Sequence, residues 1–381
     1  MKARIAALGV TLLLCCAACS SPSPDIAPTV TEFPIAYPDR DPAQPAMPSA
    51  PAAGGHEHGG DGSTHEIAYD PDTGEVLVTG QNEGTVTRVR DDGSMSFTEL
   101  PAGSGPHGIV FDTAGRLFVG LEFAGAVVQL GADGGIARTF DLVGSCATCV
   151  VSNPGPHGLA VAPDGETLWF TGKEGGNVGR VDPDGTVTAF PLQDADSKPI
   201  YIVAGPDGAM WFTELIANRI GRIDADGTLA EYDIPTPNSR PIALAVDPAG
   251  DALWFTQEAT NRLGRVSLDG TIVEVALPAS QENLLLAALS FDENGDVWVQ
   301  QYVDGNNPEP AGPDKLLRVR GEALREAAGS ATPLHVDSVT AFDVPSTGTI
   351  MHRIRPGAQG VLWFTELATN VIGKLVVPAT R

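Results

Sequence analysis

The chain has 381 residues, with 48 acidic against 23 basic side chains and a formal net charge of −25 at pH 7. That balance repels a phosphate backbone and an anionic bilayer surface, so nucleic-acid binding and spreading on a membrane are excluded. The length suits one large domain with a substantial core.

Lys2 and Arg4 form a basic head before an apolar run, Ile5 to Leu14, that is too short to span a bilayer. Cys16-Ala17-Ala18-Cys19 then sets small residues before a cysteine. This reads as a lipoprotein signal over 1–18, with Cys19 lipidated and 19–28 a Ser/Pro-rich tether. An ordinary cleaved signal is the alternative. On this reading the chain is an exported monomer at the outer face of the cell membrane, in contact with it only through the lipid anchor.

Residues 29–35, Thr-Val-Thr-Glu-Phe-Pro-Ile, match 186–192, Thr-Val-Thr-Ala-Phe-Pro-Leu, as one strand matches another. Residues 36–64 are rich in Pro, Ala and Gly, carry His56 and His58, and are expected to lack regular structure.

From 65 to 377 a phrase returns with a period of about 40 residues, which is a propeller spacing. Trp169-Phe170-Thr171 leads to Asn177-Val178-Gly179-Arg180-Val181, and Trp211-Phe212-Thr213-Glu214 leads to Asn218-Arg219-Ile220-Gly221-Arg222-Ile223. Trp254-Phe255-Thr256 and Trp363-Phe364-Thr365-Glu366 head the same pattern. Aligned on the tryptophan, units begin near His65, Pro106, Pro156, Pro199, Pro241, Leu284 and Thr349. Each reads as four strands joined by Asp-Gly turns, which predicts an all-β, seven-bladed propeller. Unit six carries an excursion over 303–313 and a short helix over 322–328. Unit seven stops one strand short. The segment 29–35 supplies that outer strand and closes the ring, removing an open edge.

Cys146 and Cys149 are expected as a disulfide in an exported chain. Two cysteines make a poor zinc site, and no βαβ pattern supports a thioredoxin-like role.

Histidine opens the inner strand of four successive units: His352 in unit seven, then His65, His107 and His157 in units one to three. Units four, five and six have Ile200, Ile242 and Ala287 there. Equal register places the four imidazoles at one mouth of the channel. Two readings stay open. The histidines satisfy backbone groups in a repeat that favours Pro-His-Gly, or they bind a ligand or a metal. Imidazoles suit zinc, copper or nickel, and carboxylates such as Glu366 shift the preference towards magnesium or manganese. The segment bearing His56 and His58 crosses the same mouth.

The repeat, with Pro-His-Gly-Ile, Pro-Asp-Gly, Trp-Phe-Thr-Glu and Asn-Arg-Ile-Gly-Arg-Ile, resembles the streptogramin B (virginiamycin B) lyase family from His65 to Leu375. The resemblance implies elimination in a cyclic depsipeptide: a histidine takes an α-proton while a magnesium ion held by glutamates stabilises the enolate. The catalytic histidine falls on His352 and one metal glutamate on Glu366. The second glutamate falls on Ile350, and a substrate-binding histidine on Ala287. The site expected here therefore has His352 as base, Glu366 on Mg2+, and His65, His107 and His157 on substrate or on a zinc or copper ion. The alternatives are a non-catalytic propeller binding a small-molecule ligand, a metal or an envelope protein, and a lactone hydrolase.

Overall fold

The computed structural model describes residues 27–38, 62–149, 151–330 and 332–378. The signal over 1–18, Cys19, most of the tether and His56 and His58 lie outside the described residues.

Seven four-stranded antiparallel sheets, the blades, form a propeller. Blade 1 runs Thr64–Tyr69, Val76–Gly80, Thr85–Val89 and Met95–Glu99, from the axis outwards. The inner strands of blades 2 to 7 are Pro106–Phe111, Pro156–Val161, Pro199–Ala204, Pro241–Val246, Leu284–Phe291 and Met351–Pro356. Blade 7 adds Val361–Glu366 and Val371–Val376, and its outermost strand is Thr29–Pro34. That strand pairs antiparallel with the last one, Thr29 opposite Val376 and Pro34 opposite Val371. The ring is thus closed by the N-terminal strand. Glu32 fastens it further, accepting hydrogen bonds from the Ser346 amide at 2.9 Å and hydroxyl at 2.7 Å.

Residues 62–64, read from sequence as linker, belong to blade 1. Thr64 opens its inner strand, and the Ser63 amide donates to Asn370 Oδ1 at 2.7 Å. In blade 6 the helix spans Gly321–Ser330.

The repeated residues each have a packing reason. The phenylalanine of the Trp-Phe strand faces the glycine of the third strand, as Phe212 faces Gly221. A Cβ at Gly221, Gly264 or Gly373 would lie 2.0 Å from the Phe212, Phe255 or Phe364 ring, so only glycine fits. Tryptophan indoles donate to turn aspartates, Trp211 to Asp207 at 3.0 Å and Trp254 to Asp247 at 2.8 Å. Asn218, Asn261 and Asn370 adopt left-handed φ of 59°, 49° and 53°, a conformation asparagine tolerates better than most residues.

Threonine ties the blades together. Six inner strands are bulged after their first residue, as between Pro106 and Ile109, and in blade 6 the bulge falls between Leu286 and Leu289. The amide released there finds the threonine hydroxyl: Glu66 to Thr79 at 3.0 Å, Gly158 to Thr171 at 2.8 Å, Arg353 to Thr365 at 3.1 Å. The hydroxyl proton then goes to the next blade, from Thr365 to the His65 carbonyl at 2.7 Å and from Thr79 to the His107 carbonyl at 2.9 Å.

Candidate functional site

The bulge places two adjacent residues of each inner strand at the mouth end of the channel. The first layer is His65, His107, His157, Ile200, Ile242, Ala287 and His352 in ring order. The second is Glu66, Gly108, Gly158, Tyr201, Ala243, Ala288 and Arg353.

The structure gathers the four histidines. Ring centroids are 5.0 Å apart for His65–His107 and His65–His352, 3.7 Å for His107–His157 and 5.4 Å for His107–His352. All four are buried. Nδ1 faces a carbonyl oxygen in three of them: Ser63 for His65 at 2.7 Å, His157 for His107 at 3.0 Å, Ile200 for His157 at 2.8 Å. A carbonyl only accepts, so Nδ1 carries the hydrogen and a neutral ring keeps its lone pair on Nε2. Burial, reinforced by the neighbouring histidines, holds His107 well below the usual imidazole pKa. Burial and then the Lys173 ammonium do the same to His157. Both rings are therefore neutral at pH 7, the form that ligates a metal or accepts a proton.

Three charged residues complete the site and were not singled out from the sequence. Glu66 pairs with the buried Arg353 guanidinium, and its Oε1 lies 3.7 Å from His352 Nε2. Arg353 also stacks over the Tyr201 ring, 4.4 Å from its centroid. Glu122 accepts from Gln81 Nε2 at 2.6 Å and Lys173 Nζ at 3.1 Å. Two trios then have ligand atoms all within 4.8 Å of one another: Glu66, His107, His352 and His107, Glu122, His157. The sequence held a signal for each addition. Glu66 and Arg353 are opposite charges where units two and three have Gly108 and Gly158. Gln81, Glu122 and Lys173 each follow the second strand of three successive blades.

Glu366 lies in neither trio. It ends the second strand of blade 7, and its Oε2 accepts from the Thr369 hydroxyl at 2.7 Å. Ile350, at the position of the second family glutamate, is buried, with a left-handed φ of 45°. One carboxylate of this kind does not fit a magnesium ion, which wants hard oxygen ligands in octahedral array.

Burial, with Thr369 opposing and Glu32 adding, pushes the Glu366 carboxyl up to about 8. Burial and then Glu231 push Glu214 up to about 8 as well. An acid with a raised folded pKa binds more protons folded than unfolded between its two values. Its contribution is complete below the unfolded pKa and is lost as pH rises to the folded one. Stability is therefore expected to fall from about pH 4.5 to about pH 8 on account of both groups. Urea titrations across that range should show the slope, and Glu214→Gln with Glu366→Gln should flatten it. An unchanged slope in the double variant would refute the assignment.

Cys146 and Cys149 are disulfide-bonded in the loop between the outer strand of blade 2, Ile136–Asp141, and the inner strand of blade 3.

The model of the virginiamycin B lyase family matches residues 59–307 of this chain. A virginiamycin B lyase of Nocardia farcinica (strain IFM 10152) is 34% identical over 134 residues, 31% of this chain and 44% of that protein. One of Bordetella bronchiseptica (strain ATCC BAA-588 / NCTC 13252 / RB50) is 49% identical over 49 residues, 13% of this chain and 16% of that protein. The matched segments thus span less than half of either relative. A solved streptogramin B lyase superposes with a TM-score of 0.71 at 23% identity, over 92% of this chain and 98% of its own, and so shares the fold.

Proposed function

The chain belongs to the virginiamycin B lyase family, and from that premise we propose that it is an exported lipoprotein, tethered through Cys19, that eliminates a carbon–oxygen bond in a cyclic or acylated small molecule. The observation that carries this reading is the His352–Glu66 pair, 3.7 Å apart, set among three further imidazoles at the channel mouth.

His352 takes the proton α to a carbonyl group, from the carbon next to the one that bears the departing oxygen. The C–H electrons form the new double bond, and the ester oxygen leaves with the C–O electron pair as a carboxylate. Glu66 stabilises the imidazolium that results, and Arg353 holds Glu66 in place. A divalent cation on the histidine cluster, when bound, supplies the electrophile that draws charge towards the carbonyl. His65 and the apolar arc of Ile200, Ile242 and Ala287 contact the substrate.

The test is a panel of cyclic depsipeptides and acylated lactones incubated with the purified mature chain and analysed by mass. Elimination opens a ring without changing mass, whereas hydrolysis adds one water and would point to a lactone hydrolase. His352→Ala is expected to lower turnover by at least about 100-fold, as loss of a general base does. Absence of turnover by the wild type would sink the lyase reading.

A binding propeller is the second reading, and one observation favours it. The Nδ1–H groups of His107 and His157 link blade 2 to blade 3 and blade 3 to blade 4, a structural duty that needs no reaction. The ligand would then be a small molecule or an envelope protein.

A further inference from the structure

We propose that the channel carries a transition-metal site on His107, Glu122 and His157, in blades 2 and 3, displaced round the ring from the blade-7 position that the family resemblance implies. The inference rests on reading the mouth as a metal-assisted site, and it places the electrophile within it. The three ligand atoms lie within 4.8 Å of one another, and all three side chains are buried. Two imidazoles and one carboxylate suit zinc, copper or nickel rather than magnesium. Three protein ligands leave a tetrahedral ion one position for water or a substrate oxygen.

The outer shell of this site is already built. His107 and His157 commit Nδ1–H to the carbonyls of His157 and Ile200, at 3.0 and 2.8 Å. Those bonds fix both rings and leave Nε2 to the metal, as outer-shell carbonyls do for metal-binding histidines. The Glu122 carboxylate is oriented by Gln81 at 2.6 Å and Lys173 at 3.1 Å. All three ligands are thus held in place by groups that do not themselves ligate the ion.

The other trio, Glu66, His107 and His352, shares His107, so the two trios cannot each hold an ion at once. Charge decides between them. Glu66 is bound by Arg353, whose side chain is 1% exposed and cannot withdraw its guanidinium from an incoming dication. Lys173, the cation on Glu122, is 31% exposed, and its ammonium can swing towards water. The ion therefore takes the blade 2 and blade 3 ligands, and the His352 imidazole is left to move protons. Ring centroids of His107 and His352 are 5.4 Å apart, so the base stands beside the metal ligands at the same mouth.

Zn2+ alone is the probe. The full mature chain, stripped with a chelator and titrated calorimetrically, is expected to bind one Zn2+ and to show no heat with Mg2+. Glu122→Gln and His157→Ala should each weaken Zn2+ by at least about 100-fold, and Gln81→Ala, an outer-shell change, by about 10-fold. His352→Ala should leave the affinity within about threefold, since it is neither ligand nor outer-shell partner. Loading with Co2+ should give the visible bands of a four-coordinate ion, altered by Glu122→Gln. If His157→Ala does not fold, the near-isosteric Glu122→Gln carries the comparison. Affinity lost in His352→Ala and kept in Glu122→Gln would move the ion to the other trio and overturn the proposal, as would no Zn2+ binding by the wild type. Affinity is read without turnover, so this result and the fate of the lyase reading are separate.

Discussion

A chain starting at Gly62, which lacks the outermost strand of blade 7, should melt roughly 10 °C below the mature chain and should self-associate. The removed segment contributes Ile35, which is 5% exposed, and Phe33, which packs against Trp363 with centroids 6.1 Å apart. Burial of two such side chains is worth about 3–6 kcal/mol. For a domain of this size each kcal/mol shifts the melting temperature by about 2 °C, so the strand accounts for roughly 10 °C. The exposed edge of Val371–Val376 then offers unpaired amides and carbonyls to another chain. Calorimetry and light scattering check both effects. A shortened chain that melts with the mature one and stays monomeric would show that blade 7 is complete without its fourth strand.

Arg353→Met should cost about 3–5 kcal/mol, the usual consequence of stranding one half of a buried ion pair. Glu66 is 4% exposed on its side chain, and Arg353 contacts it directly, so removing the guanidinium leaves a carboxylate without its countercharge. The stacking of Arg353 on Tyr201 is lost in the same variant. Adding Glu66→Gln should recover most of the loss, because the second change removes the stranded charge. Urea denaturation of the two single variants and the double variant at pH 7 measures the coupling. Additive losses would mean that the pair does not hold this part of the channel together.

The fold was legible because each blade is local. Trp-Phe-Thr, the turn asparagine and the glycine opposite phenylalanine are near in sequence and meet within one hairpin. The histidine layer was legible for a related reason, since equal register on equivalent strands puts equivalent residues at one height. Glu66 and Arg353 escaped because simple alternation assigns neighbours on a strand to opposite faces, and the bulge suspends alternation there. Glu122 escaped because its partners Gln81 and Lys173 lie in other blades, and only the packing of successive blades makes the three adjacent. Glu366 is a local case, with its hydrogen-bond partner three residues on. Its strand ends beside the inner strand that bears His352, yet its carboxyl meets Thr369.

Were the proposed lipid anchor in place, the direction of the closing strand would decide which way the propeller looks. Thr29 pairs with Val376, which in turn faces Val361, the end of its strand farthest from Glu366 and from the histidines. The polypeptide arriving from Cys19 therefore enters on the face opposite the mouth. Residues 20–28, fully extended, reach about 30 Å at most, too little to carry a body of this size freely round to its other side. A lipid on Cys19 would seat the molecule with its back to the bilayer and its mouth turned to the aqueous space. Whatever enters the channel would then come from solution and not by sliding within the lipid.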